Sequence, residues 1–301
     1  MLLLKTIKDR FNEINKIPND VDVFTSDVLF HKENNKVLRS PNEEIYYPRF
    51  SSSLFPKQGQ SLFRITSFYP SIDITKESSF HHPPVNLTTS QRCNLPKKPV
   101  FYCSDNPFFS LLETLQGRFE NALGKLFYLS EWKASVSKEW KTLGIMFGEM
   151  PEKNSYFFIR EKYIATLEKL YNEKLGIGQF KEYNDFLYEE FVKEGNHTIS
   201  SHVAHNFLYE NVTPKNDLII YPSVQGNRYN CNLAFNTENI ENSNIKLERI
   251  FSFILKVFKK VDDLKYEYEF EPVSIAQCGN GKISNWKMMD DGEIERFKKM
   301  F

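Results

Sequence analysis

The sequence predicts an α+β fold: mixed and antiparallel sheets with helices on the outside and one helical insertion. Three observations carry this. Apolar runs of strand length outnumber the helical stretches between them, the C-terminal third alternates with a two-residue period, and paired helical patterns interrupt the strands once, at about 150–196. The 301 residues are 41% hydrophobic with 27 Phe, ample for a core and too apolar for a disordered chain. There is no repeat and no linker long enough to force a split. The expected organisation is an N-terminal helical arm over 1–56 and one main domain over 57–301.

Leu4, Ile7, Phe11 and Ile14 recur at helical spacing until Pro18, and a turn-rich stretch follows to Pro56. This reads as an arm packed on the domain. Ser61–Thr66 is the first strand of the main domain, where Arg64, between Phe63 and Ile65, faces the opposite way from both. Residues 67–90, with Pro70, Pro83 and Pro84, read as loop. His81-His82 lies there without a spaced third ligand, so these are loop residues and not a metal site.

Gln91–Leu115 is the most informative stretch. Pro96 and Pro99 bracket a turn, and Pro99–Cys103 is a compact apolar run of strand length. Ser104-Asp105-Asn106 offers helix caps, and Pro107 suits a first helical turn, where its missing N–H costs nothing. Phe108, Leu111, Leu112 and Leu115 form one stripe, so Glu113 points away from it on the side of Phe109. Arg92, Tyr102 and Glu113 thus surround one strand–helix corner.

Lys125–Trp132 and Thr142–Phe147 read as strands. Ile164, Leu167 and Tyr171, then Phe180, Tyr183, Leu187 and Phe191, mark two helices whose stripes are core. A third helix over 199–211 carries His202 and His205, again without a third ligand. Asp217–Ser223 and Asn232–Ala234 are strands. Glu248–Phe258 is β-prone, Asp262-Asp263 turns the chain, and Tyr266, Tyr268 and Phe270 alternate with glutamates as in a sheet with one wet face.

Lys+Arg equals Asp+Glu at 39 each, so no global field draws the chain to nucleic acid or to a membrane, and any anionic ligand needs a local cation. The four cysteines lack C-x-x-C spacing and read as reduced thiols of a cytoplasmic protein. The apolar start, Met1–Leu4, meets Lys5 too soon for a signal peptide.

The corner resembles the RES-domain family, named for an arginine, a glutamate and a serine. Arg92-Cys93-Asn94, Val100-Phe101-Tyr102 and Leu112-Glu113 match its pattern in order and spacing; Leu62-Phe63-Arg64 resembles its opening strand, and Asp217–Ser223 with Asn232-Leu233-Ala234 its late serine strand. Cys93 stands where the family has an aromatic and Lys97-Lys98 where glycine is usual, and about a third of the chain has no match. The resemblance implies an ADP-ribosyltransferase-like fold and an enzyme that consumes NAD, by hydrolysis or phosphorolysis, as an intracellular toxin held by a cognate antitoxin. It implies catalytic Arg64, Glu113 and Ser223, with Arg92 and Tyr102 binding NAD, Arg64 and Arg92 at the diphosphate, and no metal. Glu113 would stabilise the oxocarbenium-like cation formed when nicotinamide leaves. The alternatives are mono-ADP-ribosyl transfer to a macromolecule and a non-catalytic scaffold; a homodimer remains open. All five residues are expected to line one cleft.

Overall fold

The computed structural model describes residues 49–50, 60–172, 177–209, 215–262, 265–279 and 282–301. The arm over 1–56 lies outside these, apart from Arg49–Phe50. Strands are β1 (Arg49–Phe50), β2 (Ser61–Ser67), β3 (Phe101–Ser104), β4 (Leu126–Ala134), β5 (Thr142–Gly144), β6 (Leu218–Pro222), β7 (Cys231–Phe235), β8 (Ile245–Lys260), β9 (Tyr266–Gly279), β10 (Lys282–Ile283) and β11 (Lys287–Met288). Helices are α1 (Pro107–Leu115), α2 (Phe157–Asn172), α3 (Ile177–Val192), α4 (Thr198–Tyr209) and α5 (Asp291–Met300), with a single turn at Glu238–Glu241.

The strands form one mixed sheet in the order β1-β5-β6-β7-β3-β2-β4-β8-β9-β10, with β11 also on β9. The β5/β6 pair is parallel, whereas β2, β3, β4, β7, β8 and β9 pair antiparallel. Parallel neighbours need a long crossover. Here α2, α3 and α4 supply it, so the helical insertion is also the connection that the sheet topology demands.

Alternation along each strand divides the core between the two faces. Leu62, Phe101, Cys103, Trp132, Leu233 and Phe235 share one cluster. On the opposite face, Ile219, Tyr221 and Ala234 pack with Leu187 and Phe191 of α3 and with α4, and Phe63 and Ile65 pack with Leu111, Leu112 and Leu115 of α1. Leu187 and Phe191 are buried as their spacing predicts; the side chains of Phe180 and Tyr183 lie outside the described ones. His202 and His205 are buried in α4, where His202 Nδ1 lies 2.7 Å from the Thr198 carbonyl oxygen and His205 stacks on Tyr209. Cys93, Cys103 and Cys231 are buried free thiols. Among the described residues no helix is long and apolar enough to cross a membrane, and no three His, Cys, Asp or Glu side chains are grouped to hold a metal.

The closing helix α5 is the element the periodicity reading missed. Asp290 accepts from the Glu293 amide at 2.9 Å while Glu293 accepts from the Asp290 amide at 3.1 Å, a reciprocal cap that fixes where the helix begins. Phe297 then buries fully against Phe251 and Phe253. Asp290→Ala is expected to lower stability by about 1 kcal/mol, measured as a shifted urea midpoint with unchanged slope.

Candidate functional site

Helix α1 is placed by its cap and its seat. The Asn106 side chain accepts from the amides of Phe108 (2.9 Å) and Phe109 (3.2 Å), with Pro107 in the first turn. Ser110 Oγ accepts from the Ile65 amide at 3.1 Å, fastening the helix to β2. That seating turns Glu113, half-buried, toward the ends of β6 and β7.

There one oxygen of Glu113, Oε1, accepts from Ser223 Oγ at 2.6 Å and from Asn232 Nδ2 at 2.8 Å. The second oxygen carries no hydrogen bond among the described residues. Ser223 is fully buried, and its hydroxyl oxygen accepts from the Gly226 amide at 2.9 Å. The loop it opens is closed by Ser223 N–H on the Asn230 carbonyl (2.8 Å) and by Arg228 N–H on the Ser223 carbonyl (2.7 Å). A Cβ on Gly226 would lie 2.4 Å from the Phe109 ring, so only glycine lets this loop close on α1.

Tyr102 lies on the same face as Asn232, two residues before Ser104, which pairs with Asn232. Its hydroxyl accepts from the Cys93 amide (2.8 Å) and donates to Asn94 Oδ1 (2.9 Å), which locks the turn to the strand. Burial holds its acidity well below that of an ordinary tyrosine, so it stays a neutral phenol. Tyr221 is buried beside Cys93, Tyr102 and Glu113 and is likewise kept neutral, chiefly by burial. In the adjoining turn, Lys97 takes φ 60°, the left-handed backbone that favours glycine.

The two arginines stand apart from Glu113. Arg92 is in the Tyr102 corner, but its Nη1 donates to the carbonyls of Phe191 and Lys193 (2.8 Å to the latter), closing the end of α3. Arg64 lies on the other face of the sheet, its guanidinium 5.7 Å above the Phe101 ring and its Nη1 donating to the Tyr102 carbonyl at 2.9 Å. Strands β2 and β3 pair at Phe63 and Ser104, and Arg64 meets a carbonyl just beyond that point. Burial pulls its pKa below the usual arginine value. The five residues therefore do not line one cleft: Glu113, Ser223 and Tyr102 share a face, Arg92 is turned to a helix end, and Arg64 is behind the sheet.

The sequence reading missed Asn232 as a site residue, along with Tyr221, Gly226 and Arg228. Asn232 was visible as a polar residue inside an apolar strand, and Gly226-Asn227 as a turn. The open space nearby is a cleft of about 800 Å³ lined by Glu149, Arg160, Val192, Val224, Asn227 and Arg228. Three of these belong to the Ser223 loop. No family model, curated protein or solved structure matches the chain.

Tyr102→Phe would strand the Cys93 amide and Asn94, so it is expected to cost about 1–3 kcal/mol in denaturant unfolding. His197, beside Arg92 and Lys193, is held down to about 4 by burial and by those two cations. The unfolded chain protonates near the ordinary value of 6.5 while the folded one resists, so stability present above that value is lost as pH falls through 4. His197→Gln is expected to flatten the denaturation midpoint between those two pH values.

Proposed function

We propose that the chain cleaves NAD at the bond between nicotinamide and ribose, as a glycohydrolase or phosphorylase. One observation carries the reading. Glu113 and Ser223, chosen by a resemblance that treats them as separate motifs 110 residues apart, are in direct contact at 2.6 Å.

The chemistry needs a carboxylate beside a ribose that becomes cationic. When the C–N bond breaks, its electron pair leaves on the nicotinamide nitrogen, which departs neutral, and positive charge spreads over C1′ and the ring oxygen. Ser223 and Asn232 orient Glu113 through Oε1 and leave Oε2 for a ribose hydroxyl. Water or phosphate then bonds to C1′, and in hydrolysis the surplus proton passes to solvent. An oriented anion placed where the cation forms, with no reorganisation at the moment of reaction, supplies the largest share of such catalysis. Arg64 and Arg92 serve this reading as fasteners of the corner, since their guanidinium donors reach backbone carbonyls.

Glu113→Gln keeps the shape and removes the charge. It is expected to lower nicotinamide release from NAD by about 100-fold or more, with KM nearly unchanged. Release measured with and without phosphate separates hydrolysis from phosphorolysis. A folded variant that matches the parent's rate removes Glu113 from the reaction, and the proposed mechanism with it.

A further inference from the structure

The cleft beside the Ser223 loop holds a cation that forms no ion pair among the described residues. Arg228 is half-buried there, its guanidinium 5.5 Å above the Tyr188 ring. Among the described residues its side chain makes no ion pair and no hydrogen bond. Stacking occupies the face of a guanidinium and leaves its N–H edge for oxygen acceptors, and phosphate oxygens match that edge in pairs. Tyr188 is a fixed platform: it is fully buried and its hydroxyl donates to the Glu149 carbonyl.

The backbone beneath Arg228 is also held. Asn227 and Arg228 take φ 47° and 64°, a region L side chains rarely adopt. The Arg228 amide is tied to the Ser223 carbonyl at 2.7 Å, and its carbonyl accepts from Asn154 Nδ2 at 2.6 Å. Arg160 in the same cleft is different: Nε donates to the Met146 carbonyl (2.9 Å) and Nη2 to that of Gly148 (3.1 Å), so it builds the wall. Exposed Glu149 is the opposing charge on the rim and forms no ion pair with Arg228. A volume of about 800 Å³ falls within the roughly 300–1,000 Å³ usual for small-molecule sites.

We propose that this cleft takes the diphosphate of the dinucleotide, with Arg228 as its anion-binding residue. The proposal rests on the NAD reading. Ser223 links the two halves: its hydroxyl meets Glu113, and its carbonyl holds the Arg228 amide. The scissile bond and the diphosphate would then lie to either side of one loop, and a neutral chain would meet an anionic substrate with one local charge.

Calorimetric titration with ADP, and with adenosine as the probe lacking phosphate, tests this on the full chain. Arg228→Gln is expected to weaken ADP binding at least about 10-fold and leave adenosine binding unchanged. Steady-state NAD cleavage is expected to show KM raised by a similar factor with kcat nearly constant. Arg228→Asn, which tolerates the left-handed backbone, guards against a folding artefact and is expected to behave the same way. A parent that binds ADP no better than adenosine, or a variant that binds ADP as the parent does, overturns the proposal even if NAD is cleaved. ADP binding that needs Arg228 in a protein releasing no nicotinamide keeps the diphosphate site and removes the cleavage reading instead.

Discussion

One carboxylate oxygen, Glu113 Oε1, gathers three distant segments of the chain. It takes a hydroxyl from the end of β6 and an amide from β7, and it is delivered by α1. For both donors to arrive, β6 and β7 must pair in the register that sets Tyr221 opposite Asn232. The loop between them must also fold tightly enough for Gly226 to reach the Ser223 hydroxyl. A slip of one residue in that ladder would turn Asn232 to the opposite face. The contact is therefore a statement about the whole sheet edge and not only about two side chains.

Around it, positive charge is spent in two ways. Arg64 and Arg92 satisfy backbone carbonyls where ladders or helices run out, and a guanidinium suits this because its donors are fixed in a plane. Arg228 instead rests on an aromatic ring with its edge uncommitted. In a protein with equal numbers of acidic and basic residues, such local placement is what creates any field a ligand could feel.

What the sequence made legible was local. The cap at Asn106, Pro107 in the first turn and the apolar stripe of α1 all act within a few residues, and the helix begins and ends where they say. The parity of Arg64 against Phe63 and Ile65 was also readable, and it does face away from them. Parity could not say which face α1 would cover, because that is settled by Ser110 meeting a β2 amide 45 residues earlier. The partners of Arg92 lie 99 and 101 residues away and leave no trace in local spacing. Helix α5 was within reach, since Asp290 and Glu293 spell a reciprocal cap and Ile294, Phe297 and Phe301 follow at helical spacing.

The Arg92 clamp on α3 has a kinetic side. The last carbonyls of that helix are closed by a turn about a hundred residues upstream, so the helix end cannot be finished by local winding alone. Closing so large a loop costs chain entropy before any contact repays it. Together with a β5–β6 crossover of three helices, this raises the average separation of contacting residues, the quantity with which slow folding correlates. The corner that carries Tyr102 and Glu113 is thus tied to the late steps of assembly, and a nascent chain would complete it only after β6 and β7 have emerged.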